Sequence, residues 1–230
     1  ARGGMGEIHL AERLVPGDGG RDRVLKRLIG ATQGLPEQAQ MFRDEAQLAG
    51  LLRHDNIVRV FEVGEWSGTY FIAMEYLHGA DVGAILRELL QKGRKLPIEH
   101  ALQIGLRAAA AMHHAHELVG DGGQPLQIVH RDVSPQNLFV TFQGGVKLLD
   151  FGVARSARHD RETTTRSMKG KIAYMSPEQC LSRPLDRRSD VFSLGVILYE
   201  LTLGTRLFRG NSDYELMQQI VTGDVVAPRT

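Results

Sequence analysis

Apolar and polar positions alternate with period 2 through the first third of the chain, which predicts strands. Ile8-His9-Leu10-Ala11 runs into a turn signal at Pro16-Gly17-Asp18-Gly19-Gly20, and a strand follows from Arg23 to Ile29. A second hairpin is predicted from Ile57 to Val63 and Tyr70 to Tyr76, turning at Trp66-Ser67-Gly68-Thr69. Between the hairpins, Met41, Glu45, Leu48 and Leu52 are spaced to share one face of a helix over residues 36–53. Beyond residue 78 the period lengthens and helices are predicted over about 81–92, 97–118 and 212–222. Asp190 to Leu203 is apolar nearly all round, which predicts a buried helix. A β-rich front joined to a helical rear is an α+β, two-lobed layout, with lobes at residues 1–77 and 78–230.

Composition narrows the class. At 230 residues with 42% hydrophobic content, the chain can bury a substantial core. Lys plus Arg (28) nearly balances Asp plus Glu (27), so global charge gives no sign of nucleic-acid or membrane-surface binding. One cysteine, Cys180, excludes an internal disulfide and fits a reducing compartment. No run of 18 apolar residues occurs and the start does not read as a signal peptide, so a cytoplasmic location is expected. The helix-end histidines His113, His114 and His116 lack the i,i+4 pairing of a helical metal site and are read as capping or solvating that end.

The chemistry gathers in two places. Near the start, Gly3, Gly4 and Gly6, followed by Glu7 and Ile8, form most of a glycine-rich phosphate loop, where backbone amides approach phosphate unobstructed. Lys26 lies on the strand face of Val24 and Leu28, while Glu45 interrupts the apolar helical stripe. A lone charge on a core-facing stripe is costly, so a Lys26–Glu45 pair between strand and helix is expected. Further on comes His130-Arg131-Asp132-Val133-Ser134-Pro135-Gln136-Asn137, then strand-like sequence, then Asp150-Phe151-Gly152. The types suit phosphoryl transfer. Asp132 would suit acceptance of a hydroxyl proton, and the Asn137 amide oxygen and Asp150 carboxylate would suit metal ions that bridge phosphates. No Walker-type glycine-lysine loop is present.

These segments resemble a eukaryotic-type protein kinase catalytic domain, most like the bacterial serine/threonine kinases. Further matches are His54-x-Asn56-Ile57-Val58, Met74-Glu75-Tyr76, Tyr174-Met175-Ser176-Pro177-Glu178 and Ser189 to Gly195. The resemblance implies a two-lobed kinase fold, ATP with Mg2+ (or Mn2+), and protein substrates with Ser/Thr acceptors. It implies that Lys26 holds the α- and β-phosphates and pairs with Glu45. Gly3, Gly4, Gly6, Ile8, Val24, Met74, Glu75 and Leu77 would surround the nucleotide, the last two through backbone. Asp190 would accept hydrogen bonds from the catalytic-loop backbone, and Glu178 would pair with a later Arg. The family pattern begins before Ala1 and continues past Thr230, so the chain reads as a truncated piece of a longer protein.

Departures from that pattern sharpen the expectations. Ala1 takes a loop-glycine position and Val24 the small position above the adenine. Ser134 stands where a lysine is usual, and Lys171 where a threonine is usual. The two positions should face each other across Asp132, so Lys171 is expected to serve catalysis in the missing lysine's place. Gly152 to Ile172 carries six basic residues against two acidic ones, with Thr163, Thr164, Thr165 and Ser167 among them. Phosphorylation there, by a second copy of the chain, would neutralise charge, bond Arg131 and activate the domain. The alternative is a pseudokinase, a nucleotide-binding scaffold; retention of Lys26, Glu45, Asp132, Asn137 and Asp150 weighs against it.

Overall fold

A computed structural model of the chain describes residues 6–12, 22–28, 47–120, 122–151, 170–223 and 225. Glu45, Gly3, Gly4 and the Thr163–Ser167 cluster lie outside the described residues. Among the described residues, four strands make the front sheet: β1 (Gly6–Glu12), β2 (Asp22–Leu28), β3 (Val60–Trp66) and β4 (Thr69–Glu75). Their order is β1-β2-β4-β3, antiparallel throughout. Register decides which side chains share a face. Lys26 lies opposite Ile8 on one side and Ile72 on the other, and Val24 lies between Leu10 and Met74. Because strand side chains alternate, Ile8, Val24, Lys26, Ile72 and Met74 occupy one face. That face is packed at Ile72, 3% exposed, against Val60, Val63, Tyr70 and Met74.

The second hairpin starts at Val60 rather than Ile57. Ile57 instead bridges Leu148, and the Val58 N–H and Asn56 carbonyl exchange hydrogen bonds with the Leu148 backbone at 3.0 and 2.8 Å. Asn56 Nδ2 also donates to the Val146 carbonyl at 2.9 Å. The β3–β4 turn has positive φ at Ser67 (49°) and Gly68 (72°), a backbone whose twist matches that of the strands it joins. Helical residues 47–51 precede this region, ending before Leu52, whose side chain is 2% exposed.

The rear is helical around a small sheet of β5 (Gly79–Asp81), β6 (Leu138–Thr141) and β7 (Val146–Leu148). The helices are α1 (Val82–Gln91), α2 (Ile98–His116), α3 (Pro177–Cys180), α4 (Arg187–Leu203) and α5 (Asp213–Thr222). Asp81 caps α1, Asp186 caps α4 and Ser212 caps α5, each accepting a first-turn N–H. On α2 the buried stripe Ala101, Ile104, Gly105, Ala108, Ala111, Met112 and Ala115 recurs at three and four, which faces it to α4. Gly105 permits close approach: a Cβ there would lie 2.5 Å from Leu198 Cδ2. The α4 helix is less enclosed than its composition predicts, since Val191 is 60% exposed while Ser189, Asp190 and Ser193 are buried. Its inward face is therefore partly polar, and those polar groups serve the site. Among the described residues no helix is long and apolar enough to cross a membrane.

Candidate active site

The segment from Val129 to Asn137 is fastened by a buried carboxylate. Asp190, 1% exposed near the start of α4, accepts the backbone N–H groups of His130 (2.8 Å) and Arg131 (2.9 Å). His116 Nε2 lies 2.7 Å from the same carboxylate. Three polar contacts offset the desolvation that burying a carboxylate incurs. His116 therefore does not solvate the end of α2, as the sequence suggested; it reaches inward to Asp190. Arg131 takes φ of +64° between these bonds, a left-handed backbone uncommon for a side chain of its size.

His130 is fully buried and joins two functional segments. Its Nδ1 accepts the Asp132 N–H at 3.2 Å, which leaves Nε2 as the protonated nitrogen donating to the Leu149 carbonyl at 2.8 Å. The ring also packs on Phe151, centroids 4.6 Å apart. The turn Pro135–Asn137 then brings Asn137 back to Asp132. Asn137 Nδ2 donates to the Asp132 carbonyl at 2.8 Å and to Asp132 Oδ2 at 3.0 Å. Its own carbonyl accepts Leu149 N–H at 2.8 Å, which holds the residue before Asp150 against the loop. With its NH2 engaged by Asp132, the Asn137 amide oxygen is the side-chain atom left to accept or to ligate.

From the front sheet, Lys26 Nζ donates to Asp150 Oδ1 at 3.0 Å. The expected partner Glu45 lies outside the described residues. Asp150 has φ of +42°. Met74 lines a small apolar pocket with Ala49, Ile57, Val58, Val60, Ile72, Asp150 and Phe151, directly behind the Lys26–Asp150 contact. Glu75 departs from expectation in one respect. Its backbone N–H is spent on the Arg59 carbonyl at 2.9 Å and is not available to a nucleotide edge. Its carboxylate binds Lys147 Nζ (2.7 Å) and the Arg59 N–H (2.8 Å), which fixes the end of β4 to β7.

A third segment closes the site. Lys171 Nζ lies 2.5 Å from Asp132 Oδ2. Behind it, Ile172, Ala173 and Tyr174 are at most 4% exposed in a 3-10 turn, and Ser193 Oγ donates to the Tyr174 carbonyl at 2.7 Å. The Tyr174 hydroxyl bonds Glu200, and burial, with the Glu200 charge second, pushes the phenol well above its ordinary range. Ser176 and Gln179 form a reciprocal cap on α3, and Gln179 Nε2 also donates to the Arg131 carbonyl at 2.8 Å. Burial alone would raise the Glu178 carboxyl. Hydrogen bonds from Ser189 Oγ, its own backbone and Ser176 outweigh that and hold it below the usual range. Sequence reading missed His116, His130 and Gln179 as structural ties; the S-x-x-Q capping signature was the one available signal for Gln179.

A sheet carrying a lysine onto a carboxylate, above a helical base that presents a second carboxylate and an amide, is the frame of a two-lobed phosphotransferase. The chain belongs to the protein kinase domain family, whose model matches residues 3–228. It is 43% identical over 229 residues to Tyrosine-protein kinase MasK of Myxococcus xanthus, covering 100% of this chain and 35% of that protein. It is 35% identical over 210 residues to Serine/threonine-protein kinase PrkC of Bacillus subtilis, covering 91% of this chain and 30% of that protein. Serine/threonine-protein kinase PknB of Mycobacterium leprae is 35% identical over 231 residues, 98% of this chain and 35% of that protein. The chain thus spans about a third of the length of these relatives. The family acts on proteins with ATP and a divalent metal. The donor set here fits such an ion: a carboxylate and an amide oxygen are hard ligands that leave room for water and phosphate oxygens, as Mg2+ requires.

Proposed function

We propose that this domain transfers the γ-phosphoryl group of ATP to serine or threonine hydroxyls of proteins. The observation that carries the reading is the joint hold on Asp132 and Asp150: Asn137 bonds the first at 3.0 Å, and Lys26 bonds the second at 3.0 Å. Asp132 orients the acceptor hydroxyl and takes its proton. Asn137 and Asp150 would hold the metal, whose charge neutralises the phosphate oxygens. Lys26, paired with Glu45, positions the α- and β-phosphates against the glycine run Gly3, Gly4 and Gly6. Ile8, Val24 and Met74 enclose the base, which the Glu75 carbonyl and Leu77 backbone bond at its edge. Catalysis on this frame comes from positioning and charge neutralisation.

The serine/threonine assignment draws on PrkC and PknB, which carry that name. A second reading, tyrosine acceptors, is favoured by the name of the 43% identical relative. Regulation by phosphorylation of Thr163, Thr164, Thr165 or Ser167 is supported by Arg131, whose Nε is buried without a hydrogen-bond partner among the described residues. An arriving phosphate would supply that partner. A second copy of the chain would catalyse that transfer from ATP, which leaves as ADP, and the single cysteine supports a reducing, cytoplasmic setting for it.

The test uses the full-length protein with radiolabelled ATP, Mg2+ and a mixed acceptor protein, followed by phosphoamino-acid analysis and mass spectrometry. Phosphoserine and phosphothreonine, with a loop phosphate on the active enzyme, are expected. Phosphotyrosine alone would establish the second reading. Nucleotide binding without any transfer would leave the scaffold alternative standing.

A further inference from the structure

Lys171 and Ser134 present one anomaly seen from two sides. Lys171 comes from the segment that leads into α3, not from the catalytic loop, yet its Nζ sits 2.5 Å from Asp132 Oδ2. It shares that oxygen with Asn137 Nδ2. An ammonium group has three N–H donors, and Asp132 uses one of them. The side chain keeps 23% of its surface exposed, and two donors remain for a further partner. Ser134, two residues after Asp132, faces the other way: it is 1% exposed, and its hydroxyl is buried with no partner among the described residues. The catalytic loop therefore supplies no cation of its own between Asp132 and Asn137.

We infer that Lys171 is the catalytic lysine at the transferring phosphoryl group, delivered by residues 171–178, a docking segment for the protein substrate, instead of the catalytic loop around Asp132. The inference rests on the kinase reading above and deepens it. Lys171 is aimed by its setting. The buried turn Ile172–Tyr174 fixes its backbone, Ser193 holds the Tyr174 carbonyl, and Gln179 ties the following helix to the Arg131 carbonyl beside Asp132. A lysine that merely neutralised Asp132 would impede its acceptance of a proton. One that bonds Asp132 and a phosphoryl oxygen together aligns acceptor and phosphate along one line. A further consequence is conditional catalysis: the cation is present only while the docking segment is seated, whereas a catalytic-loop lysine would be present always.

The first test needs no variant. An acyl-phosphate derivative of ATP carries its acyl group on the terminal phosphate. A neighbouring amine attacks the acyl carbon, forming an amide at Nζ as the acyl–phosphate bond breaks, ATP leaves and the amine loses a proton. Mass spectrometry of the full-length protein should find the acyl group on Lys171, with excess ATP protecting it. Labelling of Lys26 without Lys171 would overturn the inference while leaving the kinase reading intact. Absence of any labelling or nucleotide binding would instead count against the kinase reading. The second test is kinetic. Lys171→Thr should lower kcat about 10- to 100-fold with nucleotide affinity little changed, the cost of one charge-assisted hydrogen bond made in the transition state. Ser134→Lys in that background should recover much of the loss. Unchanged kcat in Lys171→Thr means a solvated lysine, and raised kcat means an inhibitory lock; either result refutes the proposal.

Discussion

The catalytic loop and the front sheet carry their site residues in opposite ways. Around Asp132 nearly every backbone group is fixed: Asp190 takes the two preceding N–H groups, His130 takes the next, and Asn137 grips both carbonyl and carboxylate. On the front sheet, Ile8 is 43% and Leu10 65% exposed, and Lys26 reaches the rear through Asp150. The proton transfer we propose would require sub-ångström placement of one carboxylate, and these bonds would hold Asp132 in place before a substrate arrives. Nucleotide entry requires a surface that opens and closes, and a sheet with less burial along its outer strand suits that task.

The sharpest way to test the built half is to change its chemistry without its shape. Asp132→Asn keeps an oxygen for Asn137 but removes the proposed proton acceptor, so turnover should fall about 10²- to 10⁴-fold. Nucleotide affinity, measured by fluorescence titration, should stay within about twofold. A matched loss of affinity would place Asp132 in binding instead.

Breaking the anchor should show in stability. Asp190→Ala leaves His116 and two buried N–H groups without their acceptor, and urea unfolding should register a loss of about 3–5 kcal/mol. Leu10→Ala on the front sheet, where the side chain is 65% exposed, should cost under about 0.5 kcal/mol. Similar losses for both would erase the contrast.

The same contrast governed what the sequence could disclose. Strands and helices were legible because their apolar periods are local, and the family because the spacing of Asp132, Asn137 and Asp150 is specific. Ile57 was assigned to the wrong pairing since its partner, Leu148, lies 91 residues on and leaves no trace in local pattern. His116 read as a helix-end polar residue because its acceptor sits on another helix, 74 residues away. Asp190 was found only through family resemblance; its neighbours give no local reason for a buried carboxylate. Lys171 was legible as a residue out of place, but its seat depends on Ser193 and Gln179, which periodicity reads as helix polar positions.

Ser193 offers a finer probe of that seat. Ser193→Ala removes a hydrogen bond of 2.7 Å to the Tyr174 carbonyl and should cost about 1 kcal/mol of stability. It should also reduce kcat several-fold in wild type, because the docking segment carries Lys171. In a Lys171→Thr background the same change should have little further effect on kcat, measured in a double-mutant cycle. Additive losses would separate Ser193 from the lysine.

The smallest expected effect lies away from the site, where α2 meets the segment entering the front sheet. His114 stacks on His54 with ring centroids 5.1 Å apart, and its Nε2 is buried with no partner among the described residues. Burial first, then the neighbouring charges of His54 and His113, lower its pKa below the ordinary 6.5. The folded chain therefore binds this proton less readily than the unfolded chain. The stability concerned is fully present above pH 6.5 and declines as pH falls below it. His114→Phe keeps a stacked ring and removes the ionisation. Thermal melts at about pH 7.5, 6.5 and 5.5 should show a shallower acid-side decline in the variant than in wild type. Parallel declines in both would assign the pH dependence to other histidines and leave His114 as packing alone.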